Sequence, residues 1–188
     1  MSASQVSMPQ ADGAQLADLI ARHLRDVPDF PEPGILFKDI APLLADGPAF
    51  GAASRALAEF GRSAGPVDLV AGVEARGFVF AGAIARDLDC GLVPVRKAGK
   101  LPPPTITREY ALEYGTASIE VPVDVLAGKR VLLVDDVLAT GGTLDAAAGL
   151  ITAAGGTVVA VAVLLELTAL RGRDRLDPAT PFHALLSA

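Results

Sequence analysis

The sequence predicts an α/β fold with a mainly parallel central sheet flanked by helices, and three observations carry that expectation. Four short apolar runs, at 68–73, 91–95, 130–134 and 157–165, show little alternation and read as strands buried on both faces. Segments of helical period separate the first run from the second and the third from the fourth, as the crossovers of a parallel sheet require. The chain has 188 residues, 51% of them hydrophobic, which is material for one domain with a sizeable core.

The elements follow in order. Residues 1–12 are rich in Ser and Gln, with neither a basic start nor an apolar stretch. They read as a loosely ordered tail and not as a signal peptide. Over 15–24, Leu16, Leu19, Ile20 and Leu24 recur at helical spacing and predict an amphipathic helix. Phe30-Pro31-Glu32-Pro33-Gly34 is a stiff turn, because both prolines fix φ and disfavour helix. A short extended piece follows at 35–37, then a helix over 48–61. Beyond the strand at 68–73, a helix over 76–87 places Phe78, Ala81 and Ile84 on one side. Residues 97–114 hold Pro102-Pro103-Pro104 and few core positions, and read as a mobile loop. Residues 118–123 alternate like a strand. The strand at 130–134, a helix over 142–154 and the strand at 157–165 complete the pattern.

Composition excludes several classes. Lys and Arg number 16 against 22 Asp and Glu, a net charge of −6, which argues against general nucleic-acid binding. Residues 146–165 carry no charge and are long enough to span a bilayer. Gly155-Gly156 divides them into a helical half and a Val-rich strand half, so no membrane span is expected. The one cysteine, Cys90, permits neither an internal disulfide nor a Cys-based zinc site, and suits a reducing, cytoplasmic setting. His23 and His183 lie in no recognisable motif, which disfavours a Ser-His-Asp site.

The richest segment runs from Val131 to Thr143. An all-apolar strand ends in two carboxylates, Asp135 and Asp136, at the edge where open α/β sheets bind ligands. The turn Ala139, Thr140, Gly141, Gly142, Thr143 then enters a helix. Such a turn offers N–H groups, hydroxyls and the positive end of a helix to an anion. Acids for hydroxyls beside donors for a phosphate imply a phosphorylated sugar. No Lys follows Gly142, so a triphosphate-binding P-loop is disfavoured, and the dinucleotide G-x-G-x-x-G is absent. A plain capping turn would account for any one of these residues but not for the run.

This stretch resembles the signature of the type I phosphoribosyltransferases. Four further segments, in order, resemble the adenine-specific members. They are 30–40 (the hood), Gly72-Val73-Glu74-Ala75-Arg76-Gly77-Phe78 (the pyrophosphate loop), the flanks 96–102 and 112–115 of a mobile catalytic loop, and Glu166-Leu167-Thr168. The resemblance implies one phosphoribosyltransferase domain over 13–188, with a hood at about 13–45 and a mobile catalytic loop at about 97–115.

It also implies the site. Asp135 and Asp136 face the ribose hydroxyls, and Ala139, Thr140, Gly141, Gly142 and Thr143 hold the 5′-phosphate. Arg76, Arg96, Lys97 and Lys100 meet the pyrophosphate, Arg96 within its own subunit or across a homodimer. Leu36, Phe37, Lys38 and Leu167 contact adenine. The implied reaction is adenine plus phosphoribosyl pyrophosphate giving AMP plus pyrophosphate. Mg²⁺ would be carried by substrate and water, with no direct protein ligand. Relatives acting on 6-oxopurines carry an acid where this chain has Ala139, so the proton must be handled elsewhere. Glu113 is the residue the resemblance suggests, with Glu109 a rival nearby. Two alternatives stay open: transfer to another base such as xanthine or orotate, and a non-catalytic sensor. The sensor is expected to add a DNA-binding module, for which the dozen residues before the first helix leave no room.

Overall fold

The computed structural model describes residues 10–111 and 116–188. Two sheets form. The small one pairs β1 (Arg25–Pro28) antiparallel with β2 (Leu36–Asp39). The large one has the order β5-β6-β4-β3-β7-β8-β9. Its strands are β3 (Leu69–Val73), β4 (Gly91–Lys97), β5 (Thr105–Ala111), β6 (Thr116–Pro122), β7 (Arg130–Leu138), β8 (Thr157–Glu166) and β9 (Phe182–Ser187). The pairs joining β4, β3, β7, β8 and β9 are all parallel, whereas β6 and β5 extend the edge antiparallel. The expected α/β class with a mainly parallel sheet is what the chain adopts.

Helices cover both faces, which is why the central strands are apolar without alternation. On one face, α5 (Gly142–Ala153) sets Leu144, Leu150 and Ile151 against Val93, Val131, Leu133 and Val163. On the other face lie α1 (Gln10–Arg22), α2 (Ala41–Ala45), α3 (Gly47–Ser63) and α4 (Arg76–Leu88). Their Ile20, Leu43, Leu57, Phe80 and Ile84 pack on Val70, Leu132, Val134, Ala162 and Leu164. α3 starts where sequence logic puts it: the Asp46 side chain accepts from the Ala49 N–H at 2.8 Å and a proline stands in the first turn.

Connectivity places the site. From β3 the chain passes through α4 to β4 on one side, and from β7 through α5 to β8 on the other. The direction of travel reverses between β3 and β7, so α4 and α5 both begin over that crevice, at the carboxyl ends of the strands. Open α/β sheets bind ligands there.

Several boundaries differ from expectation. Residues 10–12, expected in the tail, belong to α1. β7 does not stop at Val134; it carries both acids and ends at Leu138. Within the span expected as a loop, 105–111 form β5, whose T-I-T-R-E-Y-A pairs in register with β6 from Thr105↔Pro122 to Ala111↔Thr116. The prolines before it hid a strand whose Thr, Ile and Tyr favour extended backbone. β1, α2 and β9 had no expectation attached to them. No described helix is long and apolar enough to cross a membrane.

Candidate active site

The acidic doublet sits at the end of β7, over the crevice. Asp136 is 4% exposed, while Asp135 keeps part of its surface open to the hollow it lines with Val137–Leu144, about 60 Å³ in volume. Hollows of about 360 Å³ and 370 Å³ lie elsewhere, between Asp145 and Thr180 and between Arg62 and Leu88, away from the paired acids. Size alone therefore does not mark the site; its chemistry does. Burial pushes the Asp135 carboxyl well above the usual carboxylate range, and the adjacent Asp136 charge adds to the push. Burial also raises Asp136, against the opposing pull of Arg76.

Arg76, the first residue of α4, stands 2.9 Å from Asp136 by its Nε. The N–H is not aimed at the oxygen. Asp136 Oδ2 and Arg76 Nη1 are thus buried with no hydrogen-bond partner among the described residues, although their charges face each other. Unpartnered buried polar atoms cost free energy and are rare, so both are poised for a ligand that supplies the missing bonds. The approach is close because the second residue of α4 is Gly77. A Cβ there would lie 2.8 Å from Asp135 Oδ1 and 3.0 Å from the Val134 carbonyl oxygen.

The turn from Ala139 to Thr143 caps α5. Gly141 is its N-cap, with φ at +82°, a left-handed conformation that suits glycine, and no side chain caps the helix. The first N–H groups of α5 are left for an outside acceptor. Gly172, in the second of two 3-10 turns (Thr168–Leu170 and Gly172–Arg175), backs this turn. A Cβ on Gly172 would collide with the Ala139 carbonyl oxygen and lie 2.8 Å from the Gly141 nitrogen.

The remaining expected residues are spread around this centre. Phe37 lies in β2 with Phe30 edge-on at 5.1 Å, and the Arg76 guanidinium covers its ring at 5.0 Å. Leu36 is 51% exposed. Lys38 pairs with Asp26 at 2.7 Å. Leu167 follows β8, its N–H donating to the Leu138 carbonyl at 2.9 Å. Arg96 reaches Glu74 Oε2 at 3.3 Å and the Lys100 carbonyl at 3.2 Å. Lys97 and Lys100 are exposed. The structure therefore brings Arg76, Asp135, Asp136, Phe37 and the 139–143 turn together. It engages Arg96 and Lys38 with protein partners. Glu113 lies outside the described residues; its rival Glu109 is exposed on β5.

Sequence reasoning missed the acids that fix the segment after β4. Glu74 accepts the Lys97 N–H at 2.9 Å; that bond and Arg96 hold its carboxyl below the ordinary range against the effect of burial. Glu120, on β6, is buried. Burial alone would raise its carboxyl, but N–H donors from Leu101, Gly99 and Lys100 overcome this and keep it low. The Lys100 and Leu101 bonds measure 2.7 Å each. A lone acid between the apolar residues Ile119 and Val121 was the available signal. Among the described residues, no group of three His, Cys, Asp or Glu is arranged to hold a metal ion.

A strand-end acidic doublet beside an uncapped helix start has the chemistry to take a phosphorylated, hydroxyl-rich ligand. The phosphoribosyl transferase domain family matches residues 43–182. An adenine phosphoribosyltransferase of Mycolicibacterium gilvum (strain PYR-GCK) is 54% identical over 168 residues, 88% of this chain and 92% of that protein. The crystal structure of adenine phosphoribosyltransferase from Rhodothermus marinus superposes with a TM-score of 0.87 at 47% identity, covering 93% of this chain and 99% of that one. The Saccharomyces cerevisiae enzyme, solved with adenine and an imino-altritol bisphosphate, gives 0.86 at 35% identity, covering 92% and 99%. The chain belongs to the adenine phosphoribosyltransferase family.

Proposed function

We propose that this chain transfers the 5-phosphoribosyl group of phosphoribosyl pyrophosphate to adenine, forming AMP and pyrophosphate, as a purine-salvage enzyme. The observation that carries it is the juxtaposition of the Asp135–Asp136 doublet, with its unpartnered buried oxygen, and the open N-terminus of α5. The doublet accepts from the ribose hydroxyls. The N–H groups and hydroxyls of Ala139, Thr140, Gly141, Gly142 and Thr143 take the 5′-phosphate, aided by the helix dipole.

In the reaction the bond from ribose C1 to the pyrophosphate oxygen breaks, a bond from C1 to adenine nitrogen forms, and adenine loses one proton. Negative charge grows on the departing pyrophosphate, so cations must stand there. Arg76 carries this role. Its Nη1 lacks a partner, and turning toward the pyrophosphate also uncovers the Phe37 ring for the base. Arg96, Lys97 and Lys100 join it, Arg96 also bonding the Lys100 carbonyl in the segment that bears them. Leu36, Phe37, Lys38 and Leu167 form the adenine side, with Lys38 contributing main chain because its ammonium is paired with Asp26. Glu113 moves the purine proton, and the 97–115 segment excludes water from the reacting carbon.

The all-oxygen doublet fits a hard divalent cation, and in this reading the cation arrives on its substrate. Mg²⁺, when bound, neutralises pyrophosphate charge; Asp135 and Asp136 would face it through water. We assign a homodimer and a reducing cytoplasmic setting as part of the same proposal. The test is to incubate the protein with Mg²⁺, phosphoribosyl pyrophosphate and each purine or pyrimidine base in turn. AMP from adenine, and no nucleotide at comparable rate from xanthine or orotate, is the expected result; the reverse preference refutes it.

A further inference from the structure

The strand leading to Glu113 is fastened along one face to the helix that begins at the phosphate turn. Alternate residues of a strand share a side, and on β5 Ile106, Arg108 and Tyr110 do so. Ile106 and Tyr110 pack into the cluster around α5. Between them, Arg108 Nη2 pairs with Asp145 Oδ2 at 3.3 Å. Its Nη1 donates to the Asp145 carbonyl at 3.4 Å. The guanidinium lies where a Cβ on Gly149 would be, so α5 is cut away to receive it. At the end of this row Thr143 Oγ1 donates to the Tyr110 hydroxyl at 3.3 Å. Thr143 is the last residue of the turn assigned to the 5′-phosphate, and Tyr110 stands three residues before Glu113.

We propose that Tyr110 is a positioning residue of the phosphoribosyl site, tying β5 to the 5′-phosphate turn through Thr143. The proposal rests on the functional reading above. A threonine hydroxyl has one proton and two lone pairs. Without a ligand, Thr143 gives its proton to Tyr110. A phosphate on the turn offers only acceptors, so Thr143 turns its proton to the phosphate and accepts the phenol proton instead. The pair stays joined in both states. In the bound state it becomes a chain from phenol to threonine to anion, and hydrogen bonds ending on a charge are stronger. The phosphate on the turn thereby tightens the hold of β5 on the start of α5.

The test is a double-mutant cycle of Tyr110→Phe, Thr143→Val and the pair, read by steady-state kinetics and thermal melting. Tyr110→Phe is expected to lower kcat/KM for phosphoribosyl pyrophosphate by about two- to tenfold, the worth of one hydrogen bond. The KM for adenine stays unchanged. In the Thr143→Val background the same change has no further effect, because the link is already broken. Wild-type kinetics in Tyr110→Phe, multiplying losses in the double variant, or a loss explained wholly by a lower melting temperature each overturn the proposal. Ribose 5-phosphate is titrated into the unmodified protein alongside. Failure of that titration sinks the functional reading itself, whereas binding there with no coupling in the cycle sinks only the role of Tyr110.

Discussion

Substituting Gly172 by alanine tests whether the phosphate turn is held from behind. The residue sits in the chain between β8 and β9 and is 33 positions from Ala139 in sequence, yet a Cβ there would collide with the Ala139 carbonyl. It would also lie 2.8 Å from the Gly141 nitrogen, closer than real Cβ contacts come. Neither neighbour is a flexible side chain; both are backbone of the turn. The turn must therefore shift, by on the order of an ångström, and overpacking of this kind costs about 1–3 kcal/mol. In a chain of 188 residues each kcal/mol lowers the melting temperature by roughly 2–4 °C. The functional effect is larger, because a misplacement of about 1 Å costs on the order of 10²-fold. Gly172→Ala is thus expected to lose about a hundredfold in kcat/KM for phosphoribosyl pyrophosphate while staying folded. Gly82→Ala, in α4 with no atom within 4 Å of its Cβ, is the control. It should gain about 0.5–1 kcal/mol in stability and keep wild-type kinetics. If Gly172→Ala retains wild-type kinetics, the turn is not braced by this residue and the reasoning fails.

Two other outcomes are expected. The Asp135 carboxyl is raised by burial and by its neighbour, so ionising it opposes folding. Below the unfolded value near 3.8 this liability is absent, and it grows as pH climbs through the raised folded value. Asp135→Asn should accordingly melt higher than the unmodified protein at pH 8, with the advantage gone at pH 3.5; an advantage that widens on acidification contradicts the assignment. Glu113→Ala should reduce turnover by about 10²–10⁴-fold with little change in phosphoribosyl pyrophosphate binding. If Glu109→Ala does so and Glu113→Ala does not, the proton belongs to Glu109.

The parts legible in sequence were those whose signal is local. The apolar runs of β3, β7 and β8 announce burial on both faces, and Asp135, Asp136 and the Thr- and Gly-rich turn announce a strand–turn–helix junction. Their meeting with Arg76 was legible only through the family resemblance, since β3 and β7 become neighbours by topology. What stayed hidden is non-local. β5 follows three prolines and reveals itself only by pairing with β6. Glu120 looks like any strand acid until the N–H groups of Lys100 and Leu101 are seen on it. Gly172 carries no signature at all; its need for a missing Cβ comes from a backbone that approaches from far away in sequence. The Arg76 guanidinium over Phe37 likewise joins two residues that the motifs treat separately.

The central claim is that the acidic doublet and the α5 turn grip one phosphoribosyl group. Calorimetric titration of phosphoribosyl pyrophosphate with Mg²⁺ into the unmodified protein and into the Asp135→Asn, Asp136→Asn double variant tests it most directly. Saturable heat in the first and its loss in a folded second are predicted. Equal binding by both proteins would contradict the claim.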